Sequence, residues 1–406
     1  MRLSRSRVLQ IGKFYPPHMG GIETHVEALC KSLRDHVDVE VAVANDAWET
    51  TEEVVGRIKV TRLGTVTHMA SAPICPALVR RIRRSRADVV HMHLPNPPGI
   101  LALIASGYRG SVILTYHSDV VRQRMLGALF QPILKRVLKR AAAVIATSEK
   151  YIETSPVLRE YRDRCHVIPY GISLARFNHC ETHDVASVRA QFGPRIVLAV
   201  GRLVYYKGFD VLVRAMQDVD AKLVLIGDGP LRCQLQQQVQ AAGVGDRVVF
   251  LGEIQNHRIA PFFHAADLFV LPSVARSEAF GIVQLEAMAC GTPVINTDLP
   301  SGVPTVSLDG VTGITVPPAD SQSLASAINR LLNDPALRSA YGQAARRRVR
   351  SEFTVERMGT RVVQLYQDVL ASAQRSPRSQ AHLMVAPQIA RVGKWPTRNS
   401  DAHAVI

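Results

Sequence analysis

At 406 residues the chain is too long for one ordinary core, so two domains of about 200 residues or fewer are expected. A hydrophobic content of 47% excludes a mostly disordered chain, and no apolar run approaches the roughly 18 residues that a membrane helix needs. The net charge of +15 calls for an anionic partner or a solvation role.

The N-terminus is basic, but Val8-Leu9-Gln10-Ile11 is too short for a signal-peptide core, so a cytoplasmic protein is expected. Arg7–Ile11 reads as a strand, followed by a helix over Ile22–Arg34 with apolar Val26, Leu29, Cys30 and Leu33 at helical spacing. Strands are then expected at Val39–Ala44, Ile58–Arg62, Ala87–His93, Ser111–Tyr116, Ala143–Thr147 and His166–Pro169. Gly171–Gly193 turns polar and turn-rich, which suggests the interdomain linker. A second alternation follows, with strands at Ile196–Val200, Lys222–Ile226, Val248–Leu251, Asp267–Leu271, Thr292–Asn296 and Gly313–Val316. Helices are expected at Phe209–Met216, Leu231–Ala241, Ile282–Ala289, Ser321–Leu332, Pro335–Ser351 and Val355–Ala373. Strand–helix alternation of this kind predicts an α/β fold: two doubly wound, Rossmann-like parallel-sheet domains facing a cleft. Expected limits are 1–178 and 179–373, with the last helix a candidate to pack back on the first domain, and a disordered tail over 374–406.

Two clusters carry much of the positive charge: Arg80, Arg81, Arg83, Arg84 and Arg86, and then Lys135, Arg136, Lys139 and Arg140, spaced for one helical face. Nucleic acid, an anionic membrane surface and plain solvation compete to explain them. Zinc-finger, RNP-like and helix-turn-helix signatures are absent, so no nucleic-acid partner is expected. Apolar Met125-Leu126, Leu129-Phe130 and Ile133-Leu134 beside the second cluster suit peripheral attachment to a cytosolic leaflet. Six scattered cysteines without a C-x-x-C pair suggest neither a zinc site nor a disulfide framework. His91 and His93 alternate on one strand and share a face, but two histidines do not make a metal site.

Ligands of open parallel sheets sit at the carboxyl ends of strands. Four loops there are candidates. The first holds Gly20-Gly21 before a helix start, which lets the backbone approach a phosphate; an ordinary turn is the competing reading. The second, Gly201-Arg202-Leu203-Val204-Tyr205-Tyr206-Lys207-Gly208, sets two cations on one strand-to-helix turn, suited to a diphosphate. The third is Gly227-Asp228-Gly229-Pro230. The fourth runs from Ser277 to Val294 and spaces Glu278 and Glu286 eight positions apart, with the amides of Ala279, Phe280, Gly281 and Ile282 at a helix start between them. Glu286 among Leu285, Ala287 and Met288 needs a partner, because a lone buried charge is costly.

The E-x7-E element, the G-R-L-x4-K loop, the G-D-G-P turn and the A-C-G-T-P-V strand entry together resemble the GT-B glycosyltransferases of family 4, from about Val8 to about Ala373. Thr115-Tyr116-His117-Ser118-Asp119-Val120-Val121-Arg122-Gln123 is similar to bacterial polysaccharide-assembly members, many of them mannosyltransferases. The resemblance implies a retaining, metal-independent hexosyltransferase whose nucleotide-sugar is a substrate, with no cofactor. It implies that Arg202 and Lys207 grip the donor diphosphate, Glu278 holds hydroxyls of the donor sugar and Glu286 holds the ribose. It further implies that Gly20 and Gly21 face the phosphate, that His117 lies beside the transferred sugar and that the base sits near Gly252-Glu253-Ile254. Mannose from GDP-mannose onto a lipid-linked saccharide is the preferred expectation; UDP-glucose or UDP-N-acetylglucosamine donors, a sugar phosphorylase and a non-catalytic binding protein are the alternatives.

Overall fold

The computed structural model describes residues 5–18, 20–69, 72–119, 124–178 and 180–375. The expected tail lies outside the described residues except for Gln374 and Arg375, which are helical, and Val120–Gln123 also lie outside them. Strands β1 (Arg7–Ile11), β2 (Asp38–Ala44), β3 (Thr51–Val55), β4 (Ile58–Leu63), the short pair β5 (Thr67–Met69) and β6 (Ala72–Ile74), β7 (Val89–Leu94), β8 (Ser111–Tyr116), β9 (Ala143–Ala146) and β10 (Cys165–Val167) make up the first half. Its helices are α1 (Gly21–Leu33), α2 (Ala77–Arg83), α3 (Pro97–Ser106), α4 (Arg124–Arg140) and α5 (Glu149–Thr154). The sheet order is β10-β9-β8-β7-β1-β2-β4-β3. Every pairing is parallel except the outermost β3–β4. β3 is an addition to the expected set. Its Thr51-Glu52-Glu53-Val54 stretch is exposed, so it lacks the apolar signal of a buried strand. A two-residue turn with φ of 54° at Gly56 and 71° at Arg57 folds it onto β4.

The second sheet has the order β13-β12-β11-β14-β15-β16, wholly parallel, from β11 (Ile196–Val200), β12 (Lys222–Ile226), β13 (Val248–Gly252), β14 (Leu268–Val270), β15 (Val294–Thr297) and β16 (Gly313–Val316). Around it lie α6 (Ala175–Asn178), α7 (Thr182–Phe192), α8 (Phe209–Ala215), α9 (Arg232–Ala241), α10 (Ala260–Ala265), α11 (Ile282–Cys290), α12 (Val303–Val306), α13 (Ser321–Asn333) and α14 (Pro335–Glu352). Both β11 and β14 are buried throughout or nearly so, which is why they read as continuous Val/Ile/Leu runs.

The linker reading needs correction. Thr182–Phe192 is a helix, and its Val188 and Phe192 are buried in the core of the second sheet. Those two apolar residues, four apart, override the polar composition, and Gly193 ends the helix at φ 90°. The chain crosses between the sheets at Tyr170–Ser173 and returns at Phe353–Val355. The two crossings lie side by side: Ile172 N donates to Phe353 O at 2.9 Å and Val355 N to Ile172 O at 3.2 Å. The last helix, α15 (Val355–Arg375), then packs Met358, Val362, Leu365, Tyr366 and Val369 onto α1 and the first sheet.

The apolar flank expected beside the second basic cluster is also corrected in part. Phe130, Ile133 and Leu134 of α4 pack against the core of the first sheet rather than facing outward. The side chains of Met125, Leu126 and Leu129 lie outside the described residues.

Candidate active site

β11, β12 and β13 end together, and their carboxyl ends build one wall of the cleft. Gly227 N donates to Gly252 O at 2.7 Å, and Gly201 N to Ile226 O at 2.9 Å. Gly227 must be glycine: a Cβ there would lie 2.1 Å from the carbonyl oxygen of Gly201, and its φ is 130°. Half-buried Ile254 follows directly, so the expected base-side residues adjoin the diphosphate loop.

Lys207 folds back across that loop, with Cε 3.3 Å from the position a Cβ on Gly201 would occupy. Its Nζ reaches Oε2 of Glu278 at 2.6 Å, both side chains being about a tenth exposed. Burial is the largest single influence and pulls the ammonium down, but Glu278, by charge and hydrogen bond, and Tyr206 together outweigh it and the pKa of Lys207 is raised. Ser273 donates to the same carboxylate oxygen at 3.2 Å. Two residues expected to take separate parts of a donor therefore face one another. Arg202 is exposed beside them and, among the described residues, forms no ion pair.

The helix start after Glu278 is open. Gly281 caps α11 at φ 75°, where a Cβ would meet Leu271 at 2.6 Å. Among the described residues, the amides of Ala279, Phe280 and Gly281 have no protein acceptor. Three free donors at the positive end of a helix suit an anion. Ala279 is buried against the core of the first sheet, and Phe280 packs edge-on to Tyr170 at 5.0 Å between ring centroids. Gly21 stands across the cleft, its Cβ position 4.0 Å from Cδ1 of Ile282. Gly20 precedes α1 in extended backbone. The structure thus brings the Gly-Gly loop and the E-x7-E helix to one place.

Glu286 faces a cavity of about 570 Å³ that His25, Lys31, Tyr170 and Arg176 also line. Desolvation raises its pKa from 4.5 to about 7, against a smaller opposing effect of Arg176. Among the described residues its carboxylate has no hydrogen-bond partner, so it is available to a ligand diol.

His117 is placed less simply. It is buried, with Nδ1 bonded to the hydroxyl of Tyr170 and Nε2 3.0 Å from Nδ1 of His93. His91 and His93 share a face as expected, stacked at 4.7 Å. His25, His93 and His117 offer ring nitrogens within 4.8 Å of one another. His93 and His117 spend both nitrogens on hydrogen bonds, so a shared ion would have to break that network.

Residues that sequence reasoning missed span the cleft. Arg276 reaches Asp119 at 2.7 Å and donates to Thr154 O at 3.0 Å, and Lys150 pairs with Asp298 at 2.6 Å. Each joins one half of the chain to the other. Arg276 lies two residues before the E-x7-E element, and Asp119 two residues after His117; that nearness was the available signal.

The comparisons agree with this geometry. A family model described as Glycosyltransferase Family 4 matches residues 19–176, and one described as Glycosyl transferases group 1 matches residues 183–348. The chain is similar to O-antigen chain mannosyltransferase C of Escherichia coli, 31% identical over 90% of this chain and 99% of that protein. It is also similar to D-rhamnosyltransferase WbpZ of Pseudomonas aeruginosa, 33% identical over 86% of this chain and 92% of that protein. Among solved structures, sucrose-phosphate synthase from Thermosynechococcus elongatus superposes with a TM-score of 0.76 at 26% identity, covering 91% of this chain and 100% of that one. Two parallel α/β domains around a cleft, both family models and relatives of matching length lead to one conclusion: the chain is a glycosyltransferase of the GT-B fold, belonging to family 4 in its first half and to group 1 in its second.

Proposed function

We propose that the enzyme is a retaining transferase, independent of metal, that moves a mannose unit from GDP-mannose onto a lipid-linked saccharide. The part of the chain before the Tyr170–Ser173 crossing, completed by α15, forms the acceptor side, and α6 to α14, with Phe177 in the core of the second sheet, form the donor side. The observation that carries the donor reading is the open start of α11. Its three free amides stand between Lys207–Glu278 on one side and the unpaired Glu286 on the other. A pyrophosphate fits the amides and the helix dipole, and the ribose diol fits Glu286. Glu278 takes hydroxyls of the sugar, Gly20 and Gly21 approach the phosphate from the opposite wall, His117 lies beside the transferred sugar and the base lies by Ile254.

As the glycosidic bond to phosphate breaks through an oxocarbenium-like state, Arg202 and Lys207 neutralise the departing diphosphate. That diphosphate accepts the proton of the attacking hydroxyl on the same face, so configuration is retained. These cations of the protein supply the stabilisation that a metal supplies elsewhere. Mannose is favoured because the two curated relatives transfer mannose and D-rhamnose, which is its 6-deoxy form. Peripheral contact with a membrane is favoured by α2, α3 and α4, which lie side by side. Arg80 of α2, Arg84 at its end, and Arg136 and Lys139 of α4 are exposed, and so in part are Leu101 and Ile104 of α3, at 42% and 40%.

A panel of nucleotide sugars tests the donor. At ligand concentrations near 100 Kd the native state gains about 2.7 kcal/mol, a shift of a few degrees in Tm. GDP-mannose should give the largest shift, and transfer should survive EDTA. A larger response to UDP sugars overturns the choice of base, and no response to any of them overturns the donor site. In a transfer assay with the preferred donor, Lys207→Ala should lower kcat by about 10²–10³-fold while the fold persists.

A further inference from the structure

The buried polar side chains beneath the cleft form one continuous hydrogen-bonded series that the transfer step above does not explain. Tyr170, on the first crossing, bonds Nδ1 of His117. Nε2 of His117 lies 3.0 Å from Nδ1 of His93, and Nε2 of His93 lies 2.9 Å from Oε1 of Gln10. Nε2 of Gln10 donates to the hydroxyl of Tyr366 at 2.9 Å. That hydroxyl is 2.6 Å from Nδ1 of His91, whose Nε2 is 2.7 Å from Oγ1 of Thr115. All seven residues are buried. The series starts on one crossing between the domains and includes Tyr366 of α15, the helix that follows the other.

Its proton arrangement follows from the orientation of the Gln10 amide, with Oε1 toward His93 and Nε2 toward Tyr366. An amide oxygen only accepts and an amide nitrogen only donates. His93 must therefore carry its proton on Nε2 and donate to Gln10. These imidazoles are neutral, because burial and then their neighbouring rings pull His93 and His117 well below 6.5. A neutral imidazole has one donor and one acceptor. Nδ1 of His93 is thus an acceptor, His117 donates to it from Nε2, and Nδ1 of His117 accepts from Tyr170. On the other side, the Tyr366 hydroxyl accepts from Gln10 and donates to His91, which donates to Thr115. Every member is satisfied, which is the condition under which a buried polar network rigidifies its surroundings.

We propose that Gln10 and Tyr366 are positioning residues which, acting through His93, hold His117 in the tautomer protonated on Nε2. Nδ1 is thereby kept as a hydrogen-bond acceptor on the side where Tyr170 lines the cleft. Tyr170 takes that lone pair in the donor-free enzyme, and a hydroxyl of the transferred sugar takes it when donor binds. This last exchange rests on the placement of His117 beside the sugar in the functional reading above. The tautomer itself does not.

The test is nitrogen NMR on the full chain labelled with ¹⁵N-histidine, with His117 assigned by loss of its signals in His117→Gln. The donor-free enzyme should show His117 protonated on Nε2 and bare on Nδ1. Tyr366→Phe removes one hydroxyl and frees the Gln10 amide to turn over. It should convert His117 to a mixture of tautomers and lower kcat on the order of 10-fold, the scale on which a group that orients another acts. Gln10→Leu should do the same, and Tyr366→Phe decides the matter if Gln10→Leu does not fold. A wild-type His117 protonated on Nδ1 overturns the proposal. So does a fall in kcat in Tyr366→Phe without a change of tautomer, or an unchanged kcat with one. Because the tautomer is read without donor, an incorrect choice of sugar would leave that readout intact.

Discussion

Glu286 is the residue at which burial acts most directly on charge. Its pKa near 7 means that the folded protein retains a proton which the unfolded chain, with a value of 4.5, has released. The sign follows: the group favours the folded state below pH 4.5, and that advantage fades as pH rises through about 7. The full effect is on the order of 3 kcal/mol or less at alkaline pH. Glu286→Gln should therefore be more stable than wild type at pH 8 and no more stable at pH 4.5, by thermal or denaturant melts. Binding should run the other way. A ribose diol donates to the ionised carboxylate, so the nucleotide Kd of wild type should tighten between pH 6 and 8, while that of Glu286→Gln stays level. A flat wild-type profile would contradict the placement of the ribose.

Between elements, the contacts that span the cleft differ in strength. Arg276 and Asp119 are mostly buried, and Asp119 also accepts from Tyr116 at 3.0 Å and Ser155 at 2.9 Å. Lys150 and Asp298 are about one-third and two-thirds exposed, where such pairs contribute about 0–1 kcal/mol. Breaking a buried pair costs several times more, about 3–5 kcal/mol. Arg276→Ala should therefore open the free enzyme, measured as a larger radius of gyration in small-angle scattering, and should change kcat and KM together. Lys150→Ala should leave the scattering profile as it is. These cross-cleft partners also mark the limit of what the sequence discloses. Strand positions and the E-x7-E helix were legible because they depend on local periodicity and on residues within one segment. Arg276 and Asp119 are marked in the sequence only by their nearness to the E-x7-E element and to His117, and the pairing itself, like that of Gln10 with Tyr366, is set by tertiary packing over long separations. β3 escaped notice because its side chains are bathed in solvent, and α7 because its two anchoring residues are set among polar ones.

At the scale of the whole molecule, the charge of +15 is spread unevenly. Some of the bases are already engaged: Arg81 with Glu40 at 2.5 Å, and Lys135 with Glu160 at 2.8 Å. Arg80, Arg84, Arg136 and Lys139 stay exposed on neighbouring helices. Each base near an anionic leaflet contributes about 1 kcal/mol. Reversing Arg136 and Lys139 to Glu should therefore weaken sedimentation with phosphatidylglycerol-containing vesicles by more than tenfold, and added salt should weaken wild-type binding as well. Binding that ignores both changes would leave the acceptor to be sought among water-soluble saccharides.

The position of α15 has an outcome during synthesis. Val26, Leu29 and Leu33 of α1 share a core with Met358, Val362 and Tyr366, so the first half of the chain keeps an uncovered apolar face until the far end of the polypeptide leaves the ribosome. At ~5–20 residues per second that wait lasts about 10–40 s. A nascent chain stalled before residue 355 should be a chaperone client, and release of the last helix should end that dependence.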